Sequence, residues 1–245
     1  MPKKPPLAGA YWPTVLLVVL ATCPDLVNST ALGLVSPTVA TSIGVNPTDV
    51  TWLSIVGNAA LGLGATLAAD TTQRFAVRRV FLSSLAFYIL GSFAVAVAPD
   101  GAVLLVARAI QGFGSGVLLI AAVPPLLSKF PDERRPTSIG FLVLGFFAAA
   151  TAGPLVGGLV EQAEWWRWLF AFNGVVGLLT IPLALATLPP DPARKPDLHL
   201  DIPAFVLPTL GLALAFYGVG ELGWHDWGDP IVYVPVILGG WPSSR

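Results

Sequence analysis

The segment LLVARAIQGFGSGVLLI (residues 104–120) lies in an apolar run at 102–128, which is long enough to cross a bilayer as a helix. Leu, Val, Ile, Ala and Gly fill almost all of it, but Arg108 and Gln111 lie inside it. An arginine that faces hydrocarbon at a helix centre costs roughly 2.5–3.5 kcal/mol on insertion scales. Arg108 therefore either extends outward to the membrane surface or faces the interior of a helix bundle, where it needs an acidic or carbonyl partner.

The composition of the chain is that of a polytopic membrane protein. Of its 245 residues, 55% are hydrophobic and only 11% are charged, and the mean hydropathy is +0.76. Soluble domains, by comparison, have about 25% charged residues. The formal net charge of -1 gives no sign of a nucleic-acid-binding surface, so we expect no nucleic-acid partner.

Residues that build enzyme sites are scarce. Cys23 is the only cysteine, which excludes an intrachain disulfide and a multi-cysteine zinc site. The two histidines, His199 and His225, are predicted on opposite sides of the membrane, so they do not form one catalytic or metal-binding cluster. We therefore expect a protein that is not an enzyme and that uses no metal and no cofactor.

Apolar runs predict an all-α membrane fold. A helix needs about 20 mostly apolar residues to cross the hydrocarbon core. Polar turns rich in Pro and Gly separate the runs. The complete runs lie at 11–35, 50–69, 80–98, 102–128, 138–160, 168–188 and 203–221, and an eighth begins at Pro230 and stops near Gly240.

The basic residues predict the orientation. With the N-terminus in the cytoplasm, the outer loops contain Arg167 as their one basic residue and several acidic residues. The positive-inside rule therefore predicts a multi-pass protein of the plasma or inner membrane with a cytoplasmic N-terminus. The residues predicted on the inner side are Lys3, Lys4, Arg74, Arg78, Arg79, Lys129, Arg134, Arg135, Arg194 and Lys195.

A second unusual stretch, ATCPDLVNSTALG (residues 21–33), places Asp25 well inside the first span. Pro24 frees a backbone carbonyl and bends the helix, and Asn28 and two hydroxyl residues follow one turn later. An acid in such a polar, locally broken helix changes its protonation when its access to solvent changes. The alternative is a static acid that hydrogen bonds hold for structural reasons.

A third stretch, GFFAAATAGPLVGGLV (residues 145–160), combines small residues with a proline. Its glycines allow another helix to approach closely, and Pro154 supplies a bend. By itself the stretch predicts no more than a close helix crossing. The glycines are Gly145, Gly153, Gly157 and Gly158.

Together these stretches resemble the major facilitator superfamily, and more specifically its drug:proton antiporters of the fourteen-span type. The segment RAIQGFGSG (108–116) resembles the fourth-helix motif, and GFFAAATAGPLVGG (145–158) resembles the fifth-helix antiporter motif with its Gly-Pro-x-x-Gly-Gly core. The segment PDLVNSTAL (24–32) resembles the first-helix motif, and WWRWLFAFNGVVG (165–177) the entry into helix six. The segment LDIPAFVLPTLGLALAFYGVGELGW (200–224) resembles the extra span after the first bundle, so the resemblance covers nearly all of the chain.

The resemblance implies a domain organisation and an activity. Residues 1–188 are expected to form the N-terminal six-helix bundle of a transporter, and residues 189–200 a cytoplasmic linker. Residues 201–245 then form the extra transmembrane span and a truncated following helix. The implied activity is export of an amphipathic or cationic small molecule across the lipid bilayer against the entry of protons.

The resemblance also implies roles for single residues. Helices one and four are the first helices of two three-helix repeats and line the central cavity of the family fold. The fourth-helix arginine is implicated in proton coupling, so we expect Arg108 to bias the protonation of Asp25. Asn28 and Gln111 are expected to line the cavity or contact substrate, and the glycines beside Pro154 to let helix five bend as the cavity closes.

The loop between helices two and three departs from the family pattern, in which an Asp and a Gly accompany R-x-G-R-R. The stretch LAADTTQRFAVRRVF (67–81) has Gln73 at the position of that Asp and Ala76 at that of the Gly. Asp70 lies one helical turn earlier and is the candidate substitute. The arginines of this loop either help to hold the helices together or serve only as positive-inside anchors; they are Arg74, Arg78 and Arg79.

The last apolar run is too short to cross a bilayer. As a helix, residues 230–240 reach roughly 16 Å, about half the hydrocarbon thickness. Alternating access in the superfamily rocks one six-helix bundle against another. We therefore expect that a monomer does not transport, that Asp25 and Arg108 face lipid or a solvent-filled gap, and that a second copy or a missing C-terminal half completes the site. The alternative is a truncated, non-transporting remnant of such a transporter.

Overall fold

The computed structural model describes residues 5–128, 135–190, 202–222 and 224–240. This part of the chain is helical and contains no strand, which confirms the all-α fold class. Six helices in it are long and apolar enough to cross a membrane. The helices are α1 (Tyr11–Ile43), α2 (Pro47–Arg74), α3 (Val77–Val97), α4 (Gly101–Ala121), α5 (Val123–Ser128), α6 (Arg135–Gln162), α7 (Trp166–Thr187), α8 (Ile202–Glu221) and α9 (Pro230–Gly240).

The first helix continues beyond residue 35, where the apolar run ends. The side chains of Ser36, Thr41 and Ser42 donate to backbone carbonyls of the preceding helical turn at 2.8, 3.1 and 2.9 Å. Because the helix itself satisfies these hydroxyls, the polar residues do not end it. The helix ends instead at Gly44, which has the left-handed φ of 70° that favours glycine.

The fourth predicted span consists of two helices. α4 ends at Ala121, and α5 begins at Val123. Pro124 and Pro125 explain the break, because proline lacks the backbone N–H and clashes inside a continuous helix. Both prolines fall in the first turn of α5, where the missing N–H groups cost nothing.

The helices of the bundle pack as two related units, α1–α3 and α4–α7. α4 packs against α2 and α3, and α1 packs in the same way against α6 and α7. This exchange of partners is the pattern of two repeated three-helix units. α8 and α9 pair with each other, and α8 lies along α2, where the rings of Trp52 and Tyr217 are 5.9 Å apart.

The apolar core is divided into two clusters with polar side chains between them. The cluster near the α2–α3 junction includes Leu17, Phe81, Leu85, Tyr88 and Leu118. The cluster at the opposite end includes Leu32, Val35, Leu53, Leu104, Trp166 and Phe170. The buried polar side chains between the clusters, which we call the polar layer, are Asp25, Asn28, Ser92, Arg108, Gln111, Ser115 and Asn173.

The start of α7 connects the ends of other helices, and we call this contact the α7 clamp. Arg167 donates from Nη1 to the carbonyls of Ala96 and Ala98 at 3.1 and 2.8 Å, just at the end of α3. Its guanidinium carbon lies 4.4 Å from the ring centre of Trp166. Trp166 donates from Nε1 to the hydroxyl of Ser42 on α1 at 3.0 Å.

The described basic residues of the loops lie where the predicted alternation puts them. Arg74, Arg78 and Arg79 lie at the α2–α3 junction, and Arg167 lies at the other end of the bundle. Which end faces the cytoplasm stays a prediction, as does the division into domains at 188 and 200. His199, most of the predicted linker and several basic residues lie outside the described residues: Lys3, Lys4, Lys129, Arg134, Arg194 and Lys195.

Candidate functional site

Arg108 lies in the polar layer on α4 and is 3% exposed. Its Nη1 donates a 2.7 Å hydrogen bond to Oε1 of Gln111, one helical turn later. Gln111 donates in turn from Nε2 to the hydroxyl of Ser92 on α3 at 2.9 Å. The alternative of an arginine that extends outward to the membrane surface is therefore wrong, because a chain of side chains between α4 and α3 holds Arg108 inside the bundle.

Two further helices enclose the guanidinium of Arg108. Its central carbon lies 5.6 Å from the ring centre of Phe170 on α7, within the range of a cation–π interaction. On α2, Gly57 leaves the space that the guanidinium occupies, since a Cβ there would lie 2.9 Å from Nη2 of Arg108. The cation is thus placed by residues of four helices, α2, α3, α4 and α7.

Asp25 lies in the polar layer on α1 and is 5% exposed. The hydroxyl of Ser115 on α4 donates a 2.7 Å hydrogen bond to its Oδ2. Asp25 and Arg108, both among the described residues, do not form an ion pair within 4.0 Å. The structure therefore brings Asp25 together with Ser115, and it places Arg108 in the same layer with different immediate partners.

The expectation that Asp25 and Arg108 face lipid or a solvent-filled gap is wrong. Both side chains are buried within this chain, because α6 and α7 pack around α1 while α2 and α3 pack around α4. The six-helix bundle thus covers Asp25 and Arg108 without a second bundle.

Several buried atoms of this region make no hydrogen bond to the described residues. Leaving a buried donor or acceptor unpaired costs about 1–3 kcal/mol. A concentration of such atoms in one layer calls for a functional explanation, since most buried polar groups in proteins are paired. The atoms are Oδ1 of Asp25, both amide atoms of Asn28, the hydroxyl of Tyr88, Nε of Arg108 and Nδ2 of Asn173.

The two amide residues predicted for the cavity have different surroundings. Gln111 is fully buried and joins Arg108 to Ser92, so both ends of its amide are engaged. Asn28 is fully buried as well, one helical turn after Asp25, but neither amide atom has a hydrogen-bond partner among the described residues. Asn28 is therefore the member of the layer with the most unused hydrogen-bonding capacity.

The predicted close helix crossing is present between α6 and α1. A Cβ at Gly153 would overlap the side chain of Thr30, and one at Gly157 would lie 2.9 Å from the carbonyl oxygen of Ala31. Residues larger than glycine at these two positions would push the helices apart. The crossing aligns α6 with the part of α1 that follows Asp25.

The other members of the predicted antiporter motif differ in their contacts. A Cβ at Gly145 would lie 3.2 Å from Sγ of Cys23 on α1, whereas no atom of the described residues lies within 4 Å of one at Gly158. Pro154 lies inside α6, which continues through it. Bending of this helix during a transport cycle stays a prediction.

Asp70 forms an ion pair with Arg74, four residues later on α2. Gln73, at the position where the family has Asp, donates from Nε2 to the carbonyl of Ala69 in its own helix at 2.9 Å. Both bonds therefore join residues of the same helix. The ion pair of Asp70 thus lies within α2, and its role as a substitute for the family Asp stays a prediction.

Arg78 and Arg79 follow on α3 and behave differently from each other. Arg78 donates from Nη1 to the carbonyl of Leu188, just after α7, at 3.2 Å. Arg79 is exposed and makes no hydrogen bond or ion pair with the described residues. Of the two roles left open by the sequence, Arg78 fits the one that holds helices together.

Sequence analysis did not identify Ser115, Ser92 or Phe170 as members of this site. Ser115 follows Gln111 by one helical turn, on the same face of α4 as Arg108, and this spacing is a signal present in the sequence. Ser92 and Phe170 belong to other helices, and no pattern along the chain pairs them with α4.

Comparison with known proteins identifies the family of this chain and several relatives. Residues 18–239 match the family model of the Major Facilitator Superfamily. The uncharacterised MFS-type transporter YubD of Bacillus subtilis (strain 168) is 36% identical over 180 residues, which are 71% of this chain and 34% of YubD. The cephamycin export protein CmcT of Amycolatopsis lactamdurans is 30% identical over 233 residues, which are 92% of this chain and 47% of CmcT.

A third relative, the probable multidrug resistance protein EmrY of Escherichia coli (strain K12), is 25% identical over 208 residues, 85% of this chain and 41% of EmrY. Among solved structures, the peptide transporter POT with bound sulfate superposes with a TM-score of 0.65 at 16% identity, over 87% of this chain and 47% of POT. The chain spans between a third and a half of the length of these curated relatives. The family match over most of the sequence, on a bundle of six apolar helices, shows that the chain belongs to the Major Facilitator Superfamily.

Proposed function

We propose that this chain acts in the export of amphipathic or cationic small molecules across the cell membrane in exchange for protons. Membership of the superfamily makes it a multi-pass membrane protein of a transporter family. The names of EmrY and CmcT, a probable multidrug resistance protein and a cephamycin export protein, favour export. The observation that carries the proposal is the buried carboxyl of Asp25 in one layer with the cation of Arg108.

The charges of the polar layer suggest how protons and a cation exchange. Arg108 stays cationic, because arginine does not lose its proton in proteins. With Asp25 ionised, the two charges of the layer cancel; with Asp25 protonated, the layer has a net positive charge. A cationic substrate is therefore tolerated near ionised Asp25 and repelled after protonation, since like charges in a buried site repel strongly. Antiport requires that the site holds either the proton or the cationic substrate, but not both.

Hydrogen bonds convert the protonation state into a structural change. Ionised Asp25 only accepts hydrogen bonds, as it does from Ser115. Protonated Asp25 also has an O–H group, which needs an acceptor. The unpaired amide of Asn28, one turn away, provides an acceptor for that donor or a contact for substrate. Protonation of Asp25 thus changes which partners α1 prefers.

Alternating access in this superfamily needs two bundles that rock around a site between them. We propose that a second six-helix bundle, from a second copy or from a C-terminal half, completes the pathway beside α1 and α4. The exposed face of α6 is a candidate contact for that bundle, because it includes large apolar side chains such as Leu144, Phe147 and Leu155.

The test is transport by the 245-residue chain in liposomes with an imposed proton gradient and a fluorescent cationic dye. Vesicles with cross-linked pairs of the chain are compared with vesicles with monomers. Asp25→Asn is the test variant, and Asp49→Asn, at an exposed position in the first turn of α2, is its matched control.

We expect gradient-driven dye movement in vesicles with pairs, its loss in Asp25→Asn, and its retention in Asp49→Asn. An unchanged rate and pH dependence in Asp25→Asn would remove Asp25 from the mechanism. Dye movement by demonstrated monomers would contradict the need for a second bundle. The absence of movement from every preparation would favour a non-transporting role for this chain.

A further inference from the structure

A groove opens on the surface of the bundle between α2 and α3. These helices follow each other at the Phe75–Ala76 junction but make few contacts, because α4 packs behind both of them. The space between them is a groove of about 400 Å³, within the range of about 300–1,000 Å³ typical of small-molecule sites. Its walls and floor include Phe75, Arg79, Ser83, Phe87, Phe113 and Val117.

The groove has a charged end at Arg79 and is lined mainly by apolar side chains, with the hydroxyls of Thr71, Ser83 and Ser84 among them. Arg79 lies near the α2–α3 junction, and Phe87 lies two helical turns further along α3. Their separation along the helix axis is about 12 Å. One leaflet of the hydrocarbon core is about 15 Å deep, so the groove covers most of one leaflet.

Arg79 is the arginine of this junction that has its charge available. Arg74 is paired with Asp70, and Arg78 donates to the carbonyl of Leu188. Arg79 is exposed and makes no hydrogen bond or ion pair with any described residue. The mouth of an apolar groove thus contains a cation with five unused N–H donors.

We propose that this groove binds an anionic phospholipid, with its phosphate on Arg79 and an acyl chain along Phe87, Phe113 and Val117. The guanidinium group binds phosphate through paired hydrogen bonds, and basic pockets between membrane helices on the cytoplasmic side hold anionic head groups. The leaflet is the one at the α2–α3 junction, which is cytoplasmic in the predicted orientation. The apolar lining distinguishes a lipid from a soluble phosphate, which would leave most of the groove unfilled.

The experiment is native mass spectrometry of the 245-residue chain in detergent, titrated with phosphatidylglycerol or with phosphatidylcholine of the same acyl chains. Glycerol 3-phosphate serves as the head group without the chains. Arg79→Gln removes the cation, and Arg79→Lys keeps it. Arg78→Gln is the matched control, since it removes the same charge from the neighbouring residue, whose side chain bonds to Leu188 instead of lining the groove. Circular dichroism checks that every variant is helical.

We expect phosphatidylglycerol to bind about fivefold more tightly than phosphatidylcholine, the factor for about 1 kcal/mol per basic residue near anionic lipid. Arg79→Gln should abolish this preference, while Arg79→Lys and Arg78→Gln should keep most of it. Ser83→Trp, which fills the groove, should weaken the binding of both lipids. Equal loss in Arg78→Gln and Arg79→Gln would show a diffuse charge effect and overturn the site, and so would comparable binding of glycerol 3-phosphate.

Discussion

The hydroxyl of Ser115 on α4 donates a 2.7 Å hydrogen bond to the carboxyl group of Asp25 on α1, in the interior of the bundle. Asp25 is as far along its helix from Tyr11 as Ser115 is from Gly101. An axis relates the two three-helix units of the bundle. Residues at matching positions in the two units lie close together only near that axis. The buried acid therefore lies where the two units of the bundle meet.

Replacing Ser115 by Ala should destabilise the protein. The change leaves Asp25 without its one hydrogen bond to the described residues, at a cost of about 1–3 kcal/mol. For a chain of this length, each kcal/mol lowers the melting temperature by about 2–4 °C. Thermal unfolding in detergent, followed by circular dichroism, measures the shift.

The matched control for this change is Ser83→Ala, at an exposed serine that donates only to its own helix. It should change stability by no more than about 0.5 kcal/mol. In the background of Asp25→Asn, the effect of Ser115→Ala should shrink, because residues in contact are not additive. Full additivity of the two changes would contradict the contact.

Arg108→Lys should not preserve the properties of the site. Lysine has a compact ammonium group in place of a planar fork, so it does not both donate to Gln111 and lie over Phe170. We expect a loss of about 1.5–3 kcal/mol, as for a hydrogen bond to a charged group, and a loss of dye export by cross-linked pairs. Arg79→Lys is the control for the same exchange at an exposed site. Wild-type behaviour of Arg108→Lys would show that any positive charge suffices.

Gly153 and Gly158, both on α6, should respond differently to substitution by alanine. Gly153→Ala places a Cβ against Thr30 and within 3.0 Å of the carbonyl oxygen of Val27, so it should cost about 1–3 kcal/mol. Gly158→Ala meets no atom of the described part of the chain within 4 Å, and it should stabilise the helix by about 0.5–1 kcal/mol. The melting temperatures of the two variants give the comparison. Equal effects would mean that the crossing of α1 and α6 is not close.

The two ends of α2 should be accessible from opposite sides of the membrane. In a variant with Cys23 replaced by Ala, a cysteine in place of Asn46 should react with a membrane-impermeant thiol reagent added outside intact cells. A cysteine in place of Gln73, an exposed residue near the other end, should react only after the membrane is opened. The reverse pattern of labelling would invert the predicted orientation.

The sequence predicts the spans well because each span needs a continuous apolar run, and the length of such a run can be read directly from the sequence. It misplaces the end of α1 because it cannot show that Ser36, Thr41 and Ser42 bond back to their own helix. It also predicts one span at 102–128, although Pro124 and Pro125 fall where the chain begins a new helix. Both differences concern local backbone bonding, which hydropathy does not report.

For the site, the energetic cost of a charge inside the membrane is enough to single out Asp25 and Arg108 as candidate functional residues. Their partners are a different matter, because Ser115, Ser92 and Phe170 meet them only through the crossing of separate helices. The burial of both charges within one chain also depends on how α2, α3, α6 and α7 close around α1 and α4. These are properties of the three-dimensional packing, and no periodicity along the chain contains them.

The α7 clamp has a mechanical consequence. Arg167 is anchored by two backbone carbonyls and a tryptophan ring, and Trp166 is anchored by a serine hydroxyl, so no carboxyl or imidazole group takes part in these bonds. A change of protonation at mid-depth therefore leaves this rim of the bundle fastened. For the proposed exchange of protons against substrate, we therefore expect the helices at this rim to move together and the displacement to appear at the α2–α3 end of the bundle.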